Sequence, residues 1–162
     1  MTSQRKAFVA FQPVNGVYRP SMLLGDLLEA DGIEFEDLLK QAAIMYGAAI
    51  EDMRMLVQQI EGSKKPRRPV SARSVWRLGN RIFRLTGDLD RLSLQMDDLY
   101  SHLVRDLGLK RKRLEKVVIF RRYLPEENMI PELLNWGKCE KGTKKVAQQL
   151  RENNSQWNNN AR

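Results

Sequence analysis

Between Leu99 and Leu124 the chain reads LYSHLVRDLGLKRKRLEKVVIFRRYL, the stretch that most restricts what it can fold into. Leu103, Val104 and Leu107 recur at the spacing that lines apolar side chains along one face of a helix. Gly108 follows, the residue that reaches positive φ at least cost and so ends a helix in a tight turn. Leu109 plugs the turn. A second helical pattern starts at once, with Leu114, Val117 and Leu124 turned back toward the first. At about 100° per residue, its outward face then carries Arg111, Lys112, Glu115, Lys116, Ile119 and Arg122.

Leu103-Val104, Leu107, Gly108, apolar Leu109, then Leu114 and Val117 fill every slot of a known spacing. The segment resembles the helix-turn-helix of DNA-binding proteins. The resemblance implies that the second helix enters the major groove. Lys110, Arg111, Lys112, Lys116 and Arg122 would then meet phosphates or base edges. Exposed Ile119 would touch a thymine methyl, and Glu115 would accept from a cytosine amino group. Two amphipathic helices meeting at a glycine, their charges merely solvated, would give the same spacing. A second likeness is weaker. Val75-Trp76-Arg77-Leu78-Gly79-Asn80-Arg81-Ile82, followed by 99–124, is similar in rhythm to the helical N-terminal domain of YhcG-like bacterial proteins. There it precedes a restriction-type nuclease. No catalytic motif is shared, so only a helical, nucleic-acid-associated role carries over.

Charge points the same way. The formal net charge is +8 over 162 residues, which favours an anionic partner. Its distribution is uneven. Asp26 to Glu61 holds nine acids against Lys40 and Arg54, whereas Lys64 to Arg84 holds eight bases and no acid. Within that basic run, Lys64, Lys65, Arg67 and Arg68 sit in the proline-bearing linker GSKKPRRPV, expected to be extended and exposed. The linker reads either as a solvated connector or as a basic arm that tracks phosphates, and the arm is favoured because Arg73, Arg77, Arg81 and Arg84 continue the charge without an interposed acid.

The rest of the pattern predicts an all-α fold: a helical bundle with two long heptad-patterned helices and a helix-turn-helix unit. Phe35, Leu39, Ala42, Tyr46, Ala49, Met53, Leu56 and Ile60 alternate spacings of four and three, so Glu34 to Ile60 is the clearest helix. Val75, Leu78, Ile82, Leu85, Leu89, Leu92, Met96, Leu99 and Leu103 form a second seam. It is either one helix from Ser74 to Leu107 or two helices broken at Thr86-Gly87-Asp88. Few charged pairs flank it, so the seams are expected to face each other as an antiparallel hairpin or to fill a bundle core. Residues 1–20 read as an extended arm with Asn15-Gly16 as a turn signal, a small hairpin being the alternative. Ser21 can cap a short helix through Ala30. Residues 21–152 are one helical domain, with a last helix from Thr143 to about Glu152. Residues 153–162, rich in asparagine, are expected to be disordered.

No catalytic constellation is visible, and an enzyme is not expected. The single histidine, His102, and single cysteine, Cys139, make no zinc site. Asp97 and Asp98, adjacent on a helix, point apart and read as a solvated face. Trp76 and Phe83 could stack bases, although core packing is the commoner fate of such a pair. Neither cofactor nor metal is implied. No apolar run approaches a membrane span and no signal-peptide block opens the chain, so a cytoplasmic location is expected, nucleoid-associated if the source is bacterial. The expected partner is nucleic acid, double-stranded DNA before RNA, bound by a homodimer or a subunit of a larger assembly. Two rivals stand beside this: a small basic subunit of a CRISPR-type nucleoprotein that follows backbone without reading it, and an interaction protein whose seams bind a helical partner.

Overall fold

The computed structural model describes residues 7–22, 32–61 and 69–160. The fold is mostly helical but not all-α, because a three-stranded sheet is built into it. Strands β1 (Ala7–Val14) and β2 (Val17–Met22) form an antiparallel hairpin in place of an extended arm. Asn15 and Gly16 both take positive φ, 51° and 79°, which matches the right-handed twist of the flanking strands. Ser21 lies in β2 opposite Ala10 and so caps no helix; the rest of that expected helix falls outside the described residues.

Helix α1 (Gly32–Glu61) carries the first seam, with Ala42, Tyr46, Ala49, Met53 and Ile60 buried. Helix α2 (Ala72–Arg91) carries the second, and the two run antiparallel. Arg81 reaches Asp52 at 2.9 Å, while Val57 and Ile60 line a crevice with Val75 and Leu78. The second seam breaks neither nowhere nor at Thr86–Asp88. It breaks between Leu92 and Asp98, where Ser93 takes φ 58° and Leu94–Met96 becomes β3, parallel to β1. Leu94 and Met96 bury their side chains under the sheet, a gain that helical continuation would forgo.

Helices α3 (Leu99–Leu107) and α4 (Arg111–Tyr123) follow, then a 3-10 turn at Glu127–Met129, the single-turn α5 (Gly137–Glu140) and α6 (Thr143–Asn160). The last helix extends through most of the asparagine-rich tail, which the sequence marks as disordered. Its first half packs on α4 and buries Ala147.

The sheet is tied to α3 where β3 runs out. The β1–β3 ladder ends at Val9, and Phe11, two residues on, is paired with Pro20 of β2 on one side but has no strand on the β3 side. Its N–H donates instead to His102 Nε2 at 2.9 Å, and its carbonyl accepts from Arg105 Nη2 at 2.7 Å. His102 is therefore a buried structural residue of α3, 6% exposed. Its Nδ1 faces the Asp98 carbonyl at 2.9 Å, so the tautomer that satisfies both contacts carries its proton on Nδ1. Phe11 also stacks on Tyr46, centroids 4.6 Å apart, and Tyr46 donates its hydroxyl to Asp106. Arg105 grips the same carboxylate with two bonds of 2.9 Å.

Candidate nucleic-acid interface

The segment 99–124 folds into two helices about a glycine. Asp98, in the left-handed region, caps α3 by accepting from the Ser101 N–H at 3.3 Å. Hydrogen bonds from Ser101 hold its carboxyl below the usual range. Gly108 closes the helix at φ 70°, its N–H on the Val104 carbonyl, and Leu109 is buried behind the turn. Lys110 is the N-cap of α4 and offers no side-chain cap of its own. Leu114, Val117 and Phe120 are buried, as is Leu124 just past the helix end.

The outward arc of α4 therefore holds the residues the wheel places there. Lys110, Arg111, Lys112 and Arg122 are exposed, and Lys116 and Ile119 are half-buried at its edge. Four consecutive cations, Lys110 to Arg113, occupy the start of this helix, and its first turn has no acid. The helix dipole makes that end positive as well, so the arrangement is unfavourable until an anion arrives. Arg111 leans on Asp98 at 3.8 Å and Glu115 at 3.4 Å, and lies 5.2 Å over the Tyr100 ring. Arg113 pairs with Glu61. Exposed pairs of this kind contribute about 0–1 kcal/mol each and exchange readily for phosphate. Lys110, Lys112, Lys116 and Arg122 meet no acid among the described residues.

The arginines of α2 are disposed differently. Arg73 donates to the Ile130 carbonyl at 2.7 Å and approaches Glu132, Arg77 pairs with Glu127 at 2.7 Å, and Arg81 pairs with Asp52. They hold helices and loops together rather than present free charge. Arg84 alone of the four is exposed with no acidic partner among the described residues. Lys64, Lys65, Arg67 and Arg68 lie outside the described residues. Trp76 is buried and donates to the Leu124 carbonyl at 2.6 Å. Phe83 is exposed, with the Arg121 guanidinium 4.2 Å over its ring. Burial lowers the Arg121 pKa, and its Nε is held by Asn80 at 3.0 Å.

Sequence reasoning missed a further group of cations. Lys138, Lys141, Lys144, Lys145 and Arg151 are exposed on α5, α6 and the turn between them. Because α6 packs on α4, part of this charge extends the α4 surface, and Lys144 Nζ sits 5.9 Å over the Tyr123 ring. Interleaved Glu140 and Glu152 hide the group from a charge count, but Lys144, Gln148 and Arg151 share one helix face by spacing. Among the described residues no cluster of three metal-ligating side chains occurs, and no helix is long and apolar enough to cross a membrane. No family model, curated protein or solved structure matches the chain.

Proposed function

We propose that the protein binds nucleic acid, double-stranded DNA in preference to RNA, by laying the outward face of α4 against the major groove. The observation that carries the reading is the start of α4. Lys110, Arg111 and Lys112 stand exposed on the positive end of a helix that supplies them no acid in its first turn. An approaching phosphate backbone relieves that repulsion and gains direct contacts. Lys116 and Arg122 extend the contact one and three turns along, and Ile119 lies between them on the groove side. Arg84 and the linker cations 64–68 add sequence-independent attraction; the paired Arg73, Arg77 and Arg81 take no direct part.

Binding to labelled duplex across a salt series tests this. About 4–6 phosphate contacts give a log–log slope of roughly −4 to −5. Lys112→Glu combined with Lys116→Glu is expected to weaken duplex binding more than about tenfold and to flatten the slope by roughly 2, with helicity unchanged. Unchanged affinity would show that α4 does not face the duplex.

A second observation favours assembly. Ile44 and Met55, exposed at 73% and 59%, lie three turns apart on the same side of α1, with exposed Ala48 between them. Single apolar side chains on a surface are ordinary, but a stripe along one helix suits a homodimer or a larger assembly. Sedimentation in the absence of nucleic acid, repeated with Ile44→Glu, reads this separately from binding.

A further inference from the structure

At the far end of α4 the surface changes character. Tyr123 is the last residue of the helix and is half-buried, its ring opening on a cleft of about 430 Å³ shared with Gln148, Arg151 and Glu152. Lys144 overhangs the ring from the first turn of α6. Exposed Arg122 precedes Tyr123 on the same helix.

The chemistry of this group differs from that of the α4 face. Backbone tracking needs only charge, whereas here an aromatic ring, a carboxamide and a carboxylate lie beside two cations, Arg151 and Lys144. A ring face stacks on any nucleobase, and a base stacked on Tyr123 would take the place of Lys144 over the ring and free that ammonium for a phosphate. The Gln148 amide both donates and accepts, as a base edge requires, and Glu152 accepts from an exocyclic amino group while repelling a phosphate from the cleft itself. Lys144 and Arg151 are left for the phosphates that flank the base. Bases inside a duplex are already stacked and cannot offer a face to Tyr123, so the fitting ligand is an unpaired nucleotide.

We propose that this cleft binds an unpaired base of a nucleic acid strand, stacked on Tyr123, where the strand leaves the duplex held by α4. The proposal rests on the nucleic-acid reading of α4 and adds a preferred substrate: a duplex with a single-stranded extension.

The test compares a blunt duplex with the same duplex extended by about four unpaired nucleotides, by fluorescence anisotropy. The extension is expected to tighten binding roughly tenfold. Tyr123→Leu should abolish that gain and leave blunt-duplex affinity unchanged. Arg151→Ala, at an exposed position that does not threaten the fold, should remove part of the gain. Equal affinity for the two ligands, or a gain that survives both substitutions, would overturn the proposal. Loss of blunt-duplex binding by the Lys112 and Lys116 reversals reports on α4 alone. Should the blunt duplex not bind at all, the α4 reading fails, and the single strand by itself decides the cleft: weaker binding by Tyr123→Leu sustains it, and unchanged binding removes it.

Discussion

Gly79→Ala is expected to destabilise the protein by about 1–2 kcal/mol and Gly79→Val by about 3 kcal/mol or more, measured by urea unfolding. Gly79 lies at the middle of α2, where alanine would ordinarily add up to about 1 kcal/mol. Here a Cβ would stand 2.8 Å from the Val117 carbonyl oxygen and 2.8 Å from the Arg121 Cβ. Neither atom is the loose end of a side chain, so α4 must move off α2 to make room. Gly87, eight residues on in the same helix, is the control. A Cβ there meets nothing within 4 Å, and Gly87→Ala should raise stability by about 0.5–1 kcal/mol. Opposite signs from one substitution in one helix would locate the close approach that seats α4. A stabilised Gly79→Ala would show that the two helices do not touch there.

Asp106→Asn is expected to cost about 3 kcal/mol. Asp106 is buried, and its carboxylate takes both bonds of Arg105 and the Tyr46 hydroxyl. Removing one partner of a buried charged pair costs about 3–5 kcal/mol, and the lower end applies because the Arg105 side chain keeps 39% of its exposure. Burial pushes the Asp106 carboxyl upward, but hydrogen bonds from Arg105 and Tyr46, together with the Arg105 charge, outweigh it and leave it below the usual range. Burial and the same carboxylate push the Tyr46 hydroxyl far up, so it remains a donor. With the folded value depressed, this stabilisation is complete above the unfolded carboxylate value of about 3.9 and is lost as pH falls through the folded one. The wild type should therefore lose stability on acidification through this window, and Asp106→Asn should lose less. Parallel acid curves for the two proteins would show that the carboxylate is not held in its charged form.

The parts of the fold legible in the sequence are those decided within a few turns of chain. The Gly108 turn, the Leu114–Val117 stripe and the α1 seam depend on period and local turn chemistry alone. So does the outward face of α4. The break after Leu92 was not legible: Leu92, Met96 and Leu99 keep helical spacing, and Leu94–Met96 is a strand only because β1 lies beside it. The same holds for His102, whose partner is a backbone group 91 residues away. Arg73, Arg77 and Arg81 looked free because no acid lies near them in sequence. Their partners Glu132, Glu127 and Asp52 come from other elements. Tyr123 and the α6 cations became part of one surface only when α6 docked on α4.

The bonds from His102 and Arg105 to Phe11 bear on how the molecule is assembled. They close chain loops of 91 and 94 residues, so the two helices around Gly108 do not form a self-sufficient module. The orientation of α3, and with it the seat of α4, is completed only when the hairpin has returned from the other end of the chain. Such long-range closure is slow relative to helix formation, and α3 is expected to acquire hydrogen-exchange protection together with β1 rather than ahead of it. A segment cut out as residues 99–124 would keep its turn and lose its anchor.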